Sequence, residues 1–258
     1  MLSFIQLFIH QLASPRQFYS WANRFIPWLW VVTLLCLCYG FIGGLYFAPP
    51  DYQQGDGFRI IYVHVPSAFL SMMIYLIMTV AAAVNMIWRI KLADIVVQQS
   101  ASLGAVFTLL ALLTGSLWGK PMWGTWWIWD ARLTSELILL FLYMGIISLR
   151  SAIPDIIRAS RAVNILVLVG IVNIPIIHYS VYWWNTLHQG ATLSLWTRPS
   201  IAPAMLYPLL AMLVGFTLYY FSLLMMRCRS EILIRESKSQ WVQHLVHAQS
   251  RNKVEIVS

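Results

Sequence analysis

Apolar residues in this chain run on for twenty or so positions at a time instead of alternating with polar ones. A helix needs roughly 20 mostly apolar residues to cross the hydrocarbon core of a bilayer. Six stretches meet or approach that length: 28–48, 65–88, 98–118, 134–149, 162–183 and 201–226. The fourth is the shortest, and it spans only if residues just before Thr134 continue its helix. The pattern predicts an all-α integral membrane protein, a bundle of six transmembrane helices. The spans and their connections use nearly the whole chain, so residues 1–258 form a single membrane domain with no segment left to bury a separate soluble core.

Composition agrees with the pattern. Sixty per cent of residues are hydrophobic and 10% charged, whereas soluble domains carry about a quarter charged residues. The 3 Cys and the 13 Gly without a period exclude disulfide-scaffold and collagen-like classes. The net charge of +8 invites a nucleic-acid reading, but in so apolar a chain basic residues mark the cytoplasmic flanks of spanning helices. With the N-terminus inside, Arg16, Arg24, Arg89, Lys91, Arg150, Arg158, Arg161, Arg227, Arg229, Arg235, Lys238, Arg251 and Lys253 are cytoplasmic. Only Arg59, Lys120, Arg132 and Arg198 fall outside. The split predicts both termini in the cytoplasm. The start, MLSFIQLFIHQL, has no basic n-region, so residues 1–20 read as an interfacial amphipathic segment and not as a signal peptide.

The inner connections, 89–97 and 150–161, are short and basic, which leaves the outer loops 49–64, 119–133 and 184–200 to carry function. The loop between the third and fourth spans holds five of the 13 Trp within twelve positions: Trp118, Trp123, Trp126, Trp127 and Trp129, ending at Asp130. Gly119, Pro121 and Gly124 argue against one uninterrupted helix there. An aromatic belt at the headgroup level is the ordinary reading of a Trp pair, but five in one loop exceed what a belt needs. Trp123, Trp126 and Trp127 sit at i, i+3 and i+4, where a helical turn would form one aromatic face suited to a large planar ligand.

Two histidines fall on the same side of the membrane as this loop. His64 enters the second span before Pro66, and His188 follows the fifth span and Trp183-Trp184. Imidazole is a common axial ligand of haem iron. Each residue alone reads as an interfacial histidine, but as a pair flanking the Trp loop they are candidate axial ligands of one haem b. His178 lies ten residues before His188, deeper in its span, and suits packing better. His10, His244 and His247 belong to the cytoplasmic tails. The four outward cations, Arg59, Lys120, Arg132 and Arg198, are candidates for the haem propionates, with lipid phosphate as the ordinary alternative. Glu136 begins the fourth span and is costly in lipid, so it should face protein or the site. Gly40-x-x-x-Gly44 permits close helix approach.

Other signals are negative. No Cys-x-x-Cys-His is present, which excludes covalent c-type haem attachment by that motif. Gly115 to Lys120 is one residue short of a P-loop and Pro121 stands where the hydroxyl residue belongs. The chain therefore carries no ATPase motif of its own.

The segment Trp-Gly-Thr-Trp-Trp-Ile-Trp-Asp from Trp123 to Asp130, followed by Arg132-Leu-Thr134, resembles the WWD signature of the haem-handling proteins of cytochrome c maturation. Six spans in 258 residues, with an outer histidine on each side of the loop at about 118–134, resemble the CcmC-type members; the CcmF-type and CcsA-type members are longer or carry extra helices. The resemblance covers essentially the whole chain. It implies haem b binding at the periplasmic face of a bacterial inner membrane and delivery to the haem chaperone CcmE, in a complex with CcmA, CcmB and CcmD. By position, the family's axial histidines match His64 and His188, and its platform and chaperone-docking loop matches Trp118, Trp123, Trp126, Trp127, Trp129 and Asp130. The competing reading is a haem-exporting permease subunit of an ABC transporter. It would need polar groups at mid-depth, where Glu136, Asn173 and His178 are the few candidates.

Overall fold

The computed structural model of the chain describes residues 14–184, 186–188 and 201–247. Arg198, His10 and the first thirteen residues of the expected interfacial segment lie outside that range, as do the last tail cations, Arg251 and Lys253. Residues 15–20 belong to the first helix.

Helix α1, Pro15–Ile42, starts where Ser14 accepts the Gln17 N–H and Pro15 presets the first helical φ. It continues as a π-helical turn, Gly43–Phe47. A tight turn, in which Asp51 and Gly55 exchange backbone hydrogen bonds, and a 3₁₀ turn, Asp56–Ile60, lead into α2, Ile61–Trp88. Arg89 in the left-handed region (φ 54°) reverses the chain into α3, Lys91–Trp123. Then follow α4, Ala131–Ala152, α5, Ile156–Gly170, α6, Asn173–Trp183, and α7, Pro203–Arg235. No strand occurs among the described residues.

Counting α5 and α6 as one segment, six helical segments are long and apolar enough to cross a membrane. The chain is a multi-pass membrane protein. Three details depart from the apolar pattern. α3 runs straight through Gly119 and Pro121 to Trp123, because a proline in the last turn forfeits a single backbone donor. α4 begins at Ala131, capped by the Asp130 carboxylate on Leu133 N at 2.8 Å, and extends to Ala152. Its 22 residues then measure about 33 Å, enough to span. The fifth crossing is broken at Ile171–Val172 between α5 and α6, where Pro175 supplies no N–H for the carbonyl four residues back.

α2 and α3 pack together along their length, with α4, α5 and α7 around them; α6 lies against α4, and α1 against α7. A Cβ on Gly40 would come within 2.6 Å of Met212 on α7, and one on Gly44 within 2.6 Å of the Tyr62 ring on α2. The Gly40-x-x-x-Gly44 pattern therefore serves two different neighbours. At the loop-poor end, buried Asp94 on α3 takes Arg235 Nη1 of α7 at 2.7 Å and Arg150 Nη2 of α4 at 3.7 Å. Gln98 Oε1 accepts from both arginines. This knot ties three helices at one end and leaves the other end to the longer loops.

Candidate functional site

At the loop-rich end a cavity of about 230 Å³ opens between α2, α3 and α4, with His64, Trp118, Trp123, Arg132, Glu136 and His188 among its lining residues. His64 sits in the first turn of α2, and its Nδ1 lies 3.1 Å from Ala111 O and 3.0 Å from Thr114 Oγ1 on α3. A carbonyl only accepts, so Nδ1 carries the proton. The Thr114 hydroxyl sends its own hydrogen to Leu110 O at 2.6 Å, leaving a lone pair for the same N–H. The neutral ring therefore keeps its lone pair on Nε2, which is the arrangement found where histidine ligates a metal and its other nitrogen donates to the protein. Gly115, one residue on, leaves room for this ring, since a Cβ there would stand 2.9 Å from His64 Cε1.

The His188 ring centre lies 6.3 Å from that of His64. With metal–nitrogen bonds of about 2 Å and ring centres about 1.2 Å behind each nitrogen, two imidazoles on opposite sides of one metal stand about 6.4 Å apart. Trp118 meets the His64 ring edge-on at 5.6 Å, and Trp123 lies 6.3 Å from the His188 ring. Trp118 is fixed by its Nε1–H donating to Gln54 Oε1 at 2.8 Å. Gln54 is presented by the 51–55 turn, in which Asp51 Oδ1 accepts the backbone N–H of both Gln53 and Gln54.

A single cation reaches the cavity among those described. Arg132 lines it while donating from Nη1 to Ile177 O at 2.6 Å. One turn further along α4, Glu136 is 6% exposed and accepts the Ser71 hydroxyl at 2.6 Å, while its Oε2 is buried without a hydrogen-bond partner. Two imidazoles, indole walls and a guanidinium in one recess fit the chemistry of an iron porphyrin with carboxylate side arms, and the Glu136 carboxylate sits one turn behind the guanidinium.

A family model described as heme exporter protein C matches residues 8–243. The chain belongs to that family. Similar proteins named heme exporter protein C include one from Escherichia coli strain K12, 54% identical over 94% of this chain and 98% of the relative. One from Haemophilus influenzae is 48% identical over 92% of this chain and 96% of its own. One from Rhodobacter capsulatus is 40% identical over 90% and 96%.

In this member of the heme exporter protein C family the Trp-rich loop is divided. Trp118 and Trp123 line the cavity, whereas Trp126 and Trp129 are exposed, at 53% and 75%. Trp127 packs edge-on against Trp129 at 5.5 Å. The helical face expected from Trp123, Trp126 and Trp127 does not form, because Gly124 (φ 76°) ends α3 in a left-handed cap and turns the chain away. Lys120 bonds Gly124 O and lies over the Trp126 ring, and Arg59 is held by Asp56 and by Gly44 O. Neither is among the cavity-lining residues. His178 packs against Tyr179 with ring centres 4.7 Å apart. Gln53, Gln54, Thr114 and Ser116 were not singled out by sequence. Only the Asp51–Gly55 turn pattern, Asp followed by Gly four residues on, carried a local signal for the glutamines.

Proposed function

We propose that this chain binds haem b between His64 and His188 at the periplasmic face of a bacterial inner membrane and passes it to the haem chaperone CcmE for c-type cytochrome maturation. It does so beside CcmA-, CcmB- and CcmD-type subunits. The observation that carries the reading is the paired histidine geometry: Nδ1 of His64 committed to Ala111 O and Thr114, and a second imidazole 6.3 Å away. The names of the relatives, heme exporter protein C, support haem as the cargo.

Orientation follows from charge. Arg89, Lys91, Arg150, Arg158, Arg161, Arg227, Arg229, Arg235 and Lys238 lie toward the end away from the cavity, and such a bias marks the cytoplasmic side. The cavity then opens outward. Bis-histidine coordination fills both axial positions and suppresses oxygen chemistry while the cargo waits. Trp118 and Trp123 wall the porphyrin and Arg132 neutralises a propionate, while the exposed Trp126 and Trp129 face the docking partner. Handover requires one axial bond to yield to a group of the chaperone.

A permease path through the bundle has less support. Several polar side chains inside the bundle pair with one another or with backbone, Ser100 with Tyr220, Tyr143 with Ser71 O, Asn173 with Ser135 O and Asn164 with Asn85, while the buried Tyr75 hydroxyl and Glu136 Oε2 have no hydrogen-bond partner. The groove at the opposite end, lined by Met73, Leu76, Val80, Val84, Ile90 and Val96 among others, is wholly apolar. The test is to co-express the chaperone with the parent chain or its His64→Gly, His188→Gly variant and measure haem bound covalently to the chaperone. Loading by the parent and none by the variant supports delivery from this site. Equal loading by both refutes it.

A further inference from the structure

The imidazole of His188 has to be delivered by a short segment with no helix to hold it. α6 ends at Trp183, Trp184 is extended (φ −132°, ψ 153°), and residues 186–188 have no regular secondary structure. Ordering an irregular segment costs about 1–2 kcal/mol per residue in backbone entropy. A chain of hydrogen bonds to the Trp-rich loop offsets that cost. The Thr186 hydroxyl bonds Asp130 Oδ2, and Thr186 Oγ1 accepts the backbone N–H of His188 at 3.1 Å. An ionised carboxylate only accepts, so the hydroxyl hydrogen points at Asp130 and its lone pair faces His188 N–H. Asp130 is itself anchored, because Oδ1 caps α4 through Leu133 N at 2.8 Å.

The relay therefore runs from the rigid start of α4 through Asp130 and Thr186 to the backbone of His188. Asp130 and Thr186 stand 56 residues apart in sequence. Neither lines the cavity, and neither is placed to touch a ligand there. We propose that Asp130 and Thr186 are positioning residues for His188: the acid that closes the Trp-rich loop holds the second imidazole opposite His64. This rests on the reading of His188 as a haem ligand. The loop then governs coordination as well as docking, and a partner that shifts it loosens His188 while the His64 contacts on α3 stay intact.

Each half of the relay has a substitution that isolates it. Thr186→Val keeps the shape and removes both hydrogen bonds, while Thr186→Ser keeps them. Asp130→Ser still caps α4, since serine and aspartate cap about equally well, but it has no second oxygen for Thr186. The full-length chain, purified in detergent with bound haem, is read by absorption and electron paramagnetic resonance for the ratio of six-coordinate low-spin to five-coordinate haem. His188→Gly serves as the reference and should lose the low-spin form, with added imidazole restoring it. Asp130→Ser, which loses one hydrogen bond, should lower the ratio about two- to tenfold, and Thr186→Val, which loses two, at least as much. Imidazole should restore both, and Thr186→Ser should match the parent. A parent-like ratio in Thr186→Val, with His188→Gly altered, overturns the positioning role and leaves the ligand intact. Haem lost from Thr186→Val and not regained with imidazole overturns it too, since the relay would then serve the fold. An unchanged spectrum in His188→Gly overturns the ligand reading itself.

Discussion

Thr114→Val removes one oxygen from behind His64 and almost no volume. Thr114 Oγ1 lies 3.0 Å from Nδ1 and Ala111 O lies 3.1 Å away, so the substitution takes one of two acceptors and leaves the ring its tautomer. A net hydrogen bond contributes about 0.5–1.5 kcal/mol, and losing a partner behind a metal-ligating histidine typically costs about 10–100-fold in metal affinity. With Ala111 O still in place the loss falls at the low end, about tenfold, or about 1.4 kcal/mol. Titrating haem into the detergent-solubilised chain and following the Soret band measures it. Thr108→Val is the matched control. That hydroxyl is buried on the same helix and bonds only Gly104 O, at 2.7 Å, so its removal should leave haem affinity within twofold of the parent. Parent-like affinity in Thr114→Val, or an equal loss in Thr108→Val, refutes the reasoning that Thr114 acts through the imidazole.

Other substitutions separate the parts of the site. Trp118→Ala with Trp123→Ala should weaken haem retention, since both rings line the cavity, whereas Trp126→Ala with Trp129→Ala should keep haem and lower chaperone loading. Haem content and covalent loading measured on the same preparations distinguish them. Gly115→Val sets a Cβ 2.9 Å from His64 Cε1, too close for a carbon contact, and should displace the ring and reduce the low-spin haem fraction several-fold while thermal stability stays near that of the parent. Asp94→Ala strips the shared anion from Arg150 and Arg235. Losing one partner of a buried pair costs about 3–5 kcal/mol, and Glu231 still holds Arg235 at 2.7 Å. A fall in melting temperature corresponding to about 3 kcal/mol, with the haem spectrum unchanged, is expected from thermal unfolding.

Long apolar runs announced six crossings because lipid imposes one solution on the backbone, a helix with every polar group paired internally. The ends of those crossings were less legible. A run of apolar letters says nothing about Asp130 capping α4, or about α3 persisting through Pro121. The break at Ile171–Val172 was written in Pro175, but inside a continuous apolar stretch a proline is compatible with a kink or a stop. The Trp loop misled at one point. The spacing of Trp123, Trp126 and Trp127 fits a helical face, and Gly124 overrides it because its left-handed backbone ends the helix one residue after Trp123. His64 and His188 were named as a pair because each falls at the end of a span beside the Trp loop and matches the family's pattern by position, and their ring centres stand 6.3 Å apart. Their supports, Thr114 on α3, Gln54 behind Trp118 and Thr186 behind His188, are joined to them by tertiary contact, or in the case of Thr186 by a backbone bond in an irregular segment. No periodicity marks such positions.

Everything proposed for this site depends on His64 and His188 ligating a single haem iron. The most direct measurement is the absorption and electron paramagnetic resonance spectrum of haem bound to the purified chain in the parent, in each glycine variant and in the double variant, with and without imidazole. A low-spin bis-histidine signature is expected in the parent, loss of that signature in each single variant with recovery on added imidazole, and little haem retained in the double variant. A double variant that keeps the parent's low-spin spectrum contradicts the claim.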